Sequence, residues 1–245
     1  MKIFIFFRTL LSYTLFLIVV PFFIVPCFLI ACLPERYRYD NRLFFFLLYW
    51  FYRSVIFFTF NPLYIEGEKN IQGVTPAIFV ANHQSSFDVP VMGMLSRGAS
   101  HVWLVLEYYV NTPVLGFFIR RMFVPVDRAS QVKAARSLIK LIELLQEHKR
   151  NLIIFPEGGR YTDGTVHPFF KGFAVIAKKT GFPVIPVYLP YNGKIYPPYS
   201  FLIYRYPIKV IIGRPFIYEE EDTDESFKEK VYSWFIDRVA QEVEK

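Results

Sequence analysis

Hydrophobic positions along this chain fall into two regimes. In the first, residues 9–33 form a run of 25 residues without a charge. At about 1.5 Å per residue, a helix of that length crosses a hydrocarbon core of roughly 30 Å. Pro21 and Pro26 lie inside the run and predict an interruption, so a kink or a shallow re-entrant path is as good a reading as a straight span. A second apolar stretch over 43–60 is broken by Arg53, whose charge at mid-bilayer would cost about 2.5–3.5 kcal/mol unless it reached an interface. The pattern predicts a helical hairpin over 1–62, seated mainly in one leaflet, with two full spans as the second choice.

The second regime begins at Leu63. Short apolar runs alternate with helical patterns, as in an α/β sheet domain. Strands are predicted over 77–81, 102–106, 123–126, 152–155, 184–189 and 208–212. Thr112-Pro113 reads as the start of a helix running to residue 121. Val132, Ala135, Leu138, Ile139, Ile142 and Leu145 recur at helical spacing and predict a helix over 131–149. Another is expected over 173–180, ending at Gly181. A closing amphipathic helix should carry Phe227, Val231, Trp234, Phe235 and Val239.

Composition sharpens this division. Fourteen of the 28 Phe lie in residues 1–62, which a soluble domain has no reason to gather there. The net charge of +7 is also uneven: +4 over 1–62, +9 over 63–218 and −6 over 219–245. A basic middle beside an apolar anchor suits anionic lipid surfaces or phosphorylated substrates. No nucleic-acid motif accompanies the charge, so nucleic acid is not an expected partner. Cys27 and Cys32 both fall in the apolar segment, which argues against a disulfide framework or a zinc site. Leu29-Ile30-Ala31-Cys32 has the look of a lipoprotein cleavage site, but the apolar run is too long and a second one follows.

The chemistry concentrates in four blocks. Asn82-His83-Gln84-Ser85-Ser86-Phe87-Asp88 leaves a strand and enters a helix, so His83 and Asp88 can face one another. A carboxylate on one ring nitrogen fixes the tautomer and leaves the other nitrogen free to take a proton from an alcohol. The plainer alternative is a turn histidine beside a helix-capping aspartate. Pro156-Glu157-Gly158-Gly159-Arg160 follows a buried strand, at the rim where open α/β sheets bind ligands. Gly158 and Gly159 permit close approach, Arg160 offers a planar phosphate-binding fork, and Glu157 would orient Arg160 or accept a substrate hydroxyl. A turn with a surface ion pair is the plainer reading there. In the third block, Gly116 to Arg128, Arg128 should share the rim with His83 and Arg160, while Arg120 and Arg121 face headgroups. The fourth, Gly181 to Val187, reads as packing and as a wall for an acyl chain.

These four blocks, in this order, resemble the glycerolipid acyltransferase family, with the likeness strongest to 1-acyl-sn-glycerol-3-phosphate (lysophosphatidate) acyltransferases. The resemblance runs from Leu63 to Phe216. The His-x4-Asp block followed about 70 residues later by Phe-Pro-Glu-Gly-x-Arg is its most specific part, and Phe170-Lys171-Gly172 and Gly213-Arg214-Pro215-Phe216 also look like landmarks. It implies one mixed-sheet α/β acyltransferase domain with flanking helices over 63–245, after the hydrophobic hairpin of 1–62. It further implies His83 as general base, Asp88 as its partner, and Glu157, Gly158, Gly159, Arg160, Arg128 and Lys171 around the acceptor.

The acyl group would pass directly from a coenzyme A or acyl carrier protein thioester to a membrane lipid hydroxyl, with no metal or other cofactor. Residence would be the bacterial cytoplasmic membrane, with the active domain on its cytoplasmic face and against its anionic surface. The chain departs from the family pattern twice: Gly159 replaces the usual threonine or serine, and Leu106-Glu107 stand where many members carry lysine. Another lysophospholipid or an amino-acid lipid is therefore an alternative acceptor, and a non-catalytic lipid-binding protein the alternative of another class. A serine hydrolase is disfavoured because no Gly-x-Ser-x-Gly elbow is present. The sequence identifies no oxyanion donors, and the helix N-terminus near Asp88 is only one candidate.

Overall fold

The computed structural model describes residues 2–127 and 130–243. Helix α1 (Lys2–Cys32) runs without interruption through Pro21 and Pro26. Each proline removes one backbone donor, and the intact turns on either side carry the helix past it. α1 is long and apolar enough, by length and composition, to cross a membrane. Its outer face is bare, with Leu17, Ile18 and Phe22 exposed. A short α2 (Glu35–Arg38) leads to α3 (Arg42–Phe57), which starts where Asn41 Oδ1 accepts the N–H of Phe44 at 3.0 Å. Phe51 of α3 meets Phe16 and Phe23 of α1 at ring separations of 5.8 and 6.1 Å. At 16 residues α3 is roughly 24 Å long, short of a full hydrocarbon core.

The basic residues around this hairpin do not all face outward. Arg8 donates to Asn61 Oδ1 and to the carbonyl of Ile203. Arg38 is buried, bridging the Arg121 and Leu33 carbonyls and the Glu35 carboxylate. Arg121 in turn donates to the carbonyls of Ala31 and Cys32, and Arg120 to that of Val110. Arg121 is thus committed to a helix end rather than to headgroups, while Arg120 stays exposed. A helix ends with unpaired carbonyls, and Arg121 satisfies those of α1.

Seven strands form one mixed sheet in the order β1-β7-β6-β2-β5-β3-β4. They are β1 (Leu63–Glu66), β2 (Ile78–Ala81), β3 (His101–Leu106), β4 (Val124–Val126), β5 (Asn151–Ile154), β6 (Val184–Tyr188) and β7 (Ile208–Ile212). All pairs are parallel except β6–β7. The continuous apolar runs of β2, β5 and β6 are buried on both faces, as expected of central parallel strands. The sequence does not predict β1, a four-residue edge strand whose residues are alternately half-buried and exposed. On one face lie α6 (Gln131–His148), α7 (Gly172–Thr180) and α9 (Asp224–Val243); their core includes Leu141, Phe173, Phe227 and Phe235. On the other lie α3, α4 (Asp88–Met94) and α8 (Asn192–Ile195).

Local signals explain most boundaries. Gly181 ends α7 at φ +70°, and Lys149 closes α6 at φ +50°. Thr223 and Ser226 exchange backbone-to-hydroxyl hydrogen bonds of 2.9 and 3.0 Å at the start of α9. The predicted helix start at Thr112-Pro113 is wrong by two residues. A 3₁₀ turn over Glu107–Asn111 comes first, and α5 (Leu115–Met122) begins after Val114. Gly116 allows this, because a Cβ there would sit 2.0 Å from the Val110 carbonyl oxygen.

α3 is fastened to the sheet domain through Tyr52. Its hydroxyl accepts from Trp103 Nε1 at 3.2 Å, and its ring lies over Gly93 of α4. A Cβ at residue 93 would fall 2.2 Å from a Tyr52 ring carbon. Gly93→Ala should therefore destabilise the fold by about 1–3 kcal/mol through overpacking. Thermal unfolding in detergent reads this as a lowered Tm; an unchanged Tm contradicts the packing described.

Candidate active site

The turn after β2 is built around one carboxylate. Asp88 opens α4 and is completely buried. Its Oδ2 lies 2.7 Å from His83 Nδ1 and also accepts the N–H groups of Gln84 at 2.6 Å and Ser85 at 2.8 Å. Its Oδ1 accepts from Asn192 Nδ2 at 2.9 Å. Facing a carboxylate, Nδ1 carries the hydrogen, so the lone pair resides on Nε2. The capping alternative and the dyad thus coexist, since one oxygen serves both the turn backbone and the imidazole. The ring of His83 stacks on Phe155 at 4.0 Å and 9°, and its side chain retains 18% exposure toward the cavity described below.

The loop after β5 grips the same histidine by its backbone. Glu157 Oε1 accepts the His83 N–H at 2.6 Å, and the His83 carbonyl accepts the Tyr161 N–H at 2.9 Å. Glu157 Oε2 accepts the His167 N–H at 2.8 Å. Glu157 is buried and does not touch Arg160, so the expectation that it orients Arg160 is corrected. Arg160 donates instead to Ser86 Oγ at 2.8 Å. Burial pushes the Glu157 carboxyl up to about 7, against the pull of its two backbone donors. Further along, Tyr161 stacks on His167 at 3.7 Å, and His167 Nε2 meets Asp163 Oδ2 at 2.7 Å. That contact and the Thr165 N–H hold the Asp163 carboxyl at about 2.

A cavity of about 1210 Å³ opens at this rim. Tyr13, Phe16 and Phe23 of α1 and Phe51 and Val55 of α3 wall one part of it. Leu104, Leu106, Val126 and Leu138 wall another, and His83, Ser86, Gly158, Gly159 and Arg160 line the stretch at the strand ends. The surface is overwhelmingly apolar, and Arg160 is the arginine or lysine that lines it among the described residues. Such a volume with few polar groups suits long hydrocarbon chains ending at one polar centre.

His83, Asp88, Gly158, Gly159 and Arg160 therefore gather at one rim. Lys171, exposed, precedes α7 between Phe170 and Gly172, which both line the cavity. Arg128 lies outside the described residues. β6 does not line the cavity, so the acyl-wall role expected for Gly181 to Val187 is corrected: the strand is buried between β2 and β7. The N-terminus of α4 is also not a free donor set. The N–H groups of Asp88, Val89 and Val91 already donate to the carbonyls of Ser85, Ser86 and Phe87, and Pro90 has none. The sequence reading missed Asn82, Phe155, Asn192 and Tyr196. Asn82 exchanges hydrogen bonds of 3.0 and 2.8 Å with Leu189, tying the ends of β2 and β6. Its place directly before His83 was the one available signal.

Because the folded state holds a proton on Glu157 up to about 7, it binds more protons than the unfolded chain between about pH 4.5 and 7. Stability from this group is present at low pH and is lost as pH rises through that window, by about 3 kcal/mol in all. Glu157→Gln does not titrate. Tm measured from pH 4.5 to 8 should show the wild type losing ground to Glu157→Gln as pH rises; a constant difference contradicts this.

Comparison with known proteins agrees with the geometry. The chain is 34% identical over 184 residues to "1-acyl-sn-glycerol-3-phosphate acyltransferase BAT2, chloroplastic" of Brassica napus, covering 74% of this chain and 52% of that protein. The 1-acyl-sn-glycerol-3-phosphate acyltransferase of Saccharomyces cerevisiae is 30% identical over 184 residues, 72% of this chain and 59% of that one. The chain spans about half the length of the curated relatives it matches. The crystal structure of the 1-acyl-sn-glycerophosphate (LPA) acyltransferase PlsC from Thermotoga maritima superposes with a TM-score of 0.77 at 23% identity, over 98% of this chain and 97% of that one, a likeness of fold. The profile of the Acyltransferase family matches residues 62–190, more than half of the chain and all four blocks, and the chain belongs to that family.

Proposed function

We propose that the protein transfers an acyl group from a thioester to the sn-2 hydroxyl of 1-acyl-sn-glycerol-3-phosphate, giving phosphatidic acid. The observation that supports this most is the His83–Asp88 pair at 2.7 Å, at the edge of an apolar cavity that also holds Arg160. His83 Nε2 takes the hydroxyl proton as the oxygen attacks the thioester carbonyl. Asp88 stabilises the imidazolium that forms. Collapse of the tetrahedral intermediate breaks the C–S bond, and the imidazolium returns its proton to the departing thiolate. The products are the acylated lipid and the free thiol of coenzyme A or acyl carrier protein.

Arg160 binds the acceptor's phosphate, held in place by Ser86, with Gly158 and Gly159 leaving space for it. Lys171, exposed between the cavity residues Phe170 and Gly172, adds positive charge near this rim. Acyl chains occupy the cavity between the sheet domain and α1 and α3. The protein works at a membrane, α1 and α3 in the lipid, with its domain on the cytoplasmic face of a bacterial membrane where the thioesters are soluble. Glu107, an acid where the family resemblance leads one to expect a lysine, supports one second reading: an acceptor with a single phosphodiester charge.

The test is purified protein in mixed micelles with lysophosphatidate, other lysophospholipids and both thioester donors, following thiol release. His83→Ala should lower the rate by about 10²–10⁴-fold. Transfer at the wild-type rate by that variant overturns the base assignment. Arg160→Ala should lower kcat/KM for lysophosphatidate by roughly 10–100-fold, the worth of a charge-assisted hydrogen bond. Acylation confined to phosphodiester lipids would establish the second reading instead.

A further inference from the structure

The four donors around Asp88 are unequally placed. Three of them, the His83 ring and the Gln84 and Ser85 N–H groups, sit on Oδ2 and come from the same turn. A carboxylate turns about its Cβ–Cγ bond, so donors on one oxygen alone resist that turn from one side only. The fourth donor, Asn192 Nδ2 at 2.9 Å, is the only one on Oδ1 among the described residues, and it arrives from α8, 104 residues away.

Asn192 is as fully buried as Asp88 and does not line the cavity. Its amide has one tenable orientation, since the reverse would set its oxygen against the carboxylate. In that orientation its own Oδ1 has no partner among the described residues. A buried unpaired acceptor costs stability, and an apolar side chain of similar size would avoid that cost. What the amide supplies here is its donor. Two neighbours hold α8 at this distance. The Gly193 N–H donates to Gln84 Oε1 at 3.1 Å, and Ser85 Oγ donates to the Tyr196 carbonyl at 2.5 Å. A Cβ at residue 193 would lie 3.2 Å from Gln84 Cβ, so the approach leaves little spare room.

We propose that Asn192 is a positioning residue: its amide locks the rotation of the Asp88 carboxylate, and through it the plane and tautomer of His83, without touching substrate. This deepens the His83–Asp88 reading and rests on it. The titratable groups around Asp88 are His83 on its own turn and Glu157 from the β5 loop. Tyr196 lies behind Ser85, and Tyr191, beside Asn192, donates to Glu242 with Lys194 over its ring.

The test compares wild type, His83→Ala, Asn192→Leu and Asn192→Asp by thiol release across pH, with Tm as a check on folding. Asn192→Leu removes the donor at similar size and should lower kcat by about 10–100-fold, the usual loss when an outer residue orienting a functional group is removed. KM for donor and acceptor should stay near wild type. The acid limb of its kcat/KM profile should move to higher pH, because a less solvated Asp88 anion holds the imidazolium proton more firmly. Asn192→Asp should keep activity while its carboxyl is protonated and can donate to Asp88, then lose it at higher pH along an alkaline limb that the wild type lacks. Wild-type kcat and profile in Asn192→Leu, or losses in both variants that do not change with pH, overturn the proposal. Failure of both variants to fold does so as well, leaving a structural role. Transfer surviving in His83→Ala would instead remove the underlying reading, so the two failures are distinct.

Discussion

The structure depends on satisfying a carboxylate where no water reaches it. A buried carboxylate without partners is costly, and a full set of donors removes that cost. Asp88 finds its donors on two segments: its own turn after β2 and α8 after β6. A third segment, the β5 loop, holds the His83 backbone by both its N–H and its carbonyl. These three segments can meet because β6, β2 and β5 are adjacent and parallel, so their carboxyl ends share one rim. The sheet order is what makes the dyad possible, and the dyad's hydrogen bonds join the strand ends in return.

The N-terminal helices belong to the same construction. α1 and α3 supply much of the cavity wall, and α1 is by length and composition able to cross a membrane. Tyr52 carries α3 onto Trp103 and Gly93, and Trp103 stacks near Phe155, the ring beneath His83. A continuous aromatic path thus leads from α3 to His83. Arg8, Arg38 and Arg121 stitch helix ends and loops together. For this reason a count of flanking positive charges is a poor guide to how the segment sits: several of those charges have protein partners.

Much of this was legible in the chain alone. Apolar runs without charges announce helices in lipid or buried strands wherever they occur, because the cost of burying a charge is local and does not wait for tertiary contacts. The six predicted strands, the helix ending at Gly181 and the closing helix follow from such local rules, as does the pairing of His83 with Asp88 across one tight turn. The family resemblance adds the role of the β5 block. What failed were inferences about where long side chains point. Glu157 turns inward to backbone donors, and Arg121 caps a helix. A flexible side chain can reach several partners, and which one wins is set by the neighbours that folding brings up.

The sequence by itself determined the long apolar segment, the alternating α/β order and the placing of His83 and Asp88 across one turn, since each is written within a short stretch of consecutive residues. Only the tertiary structure decided that Asn192 completes the shell of Asp88, that Glu157 secures the His83 backbone, and that the anchor helices wall the cavity. Those contacts join residues 51 to 104 positions apart. No spacing rule reaches that far: such distances are fixed by strand order and by packing across the sheet, which exist only once the chain has closed on itself.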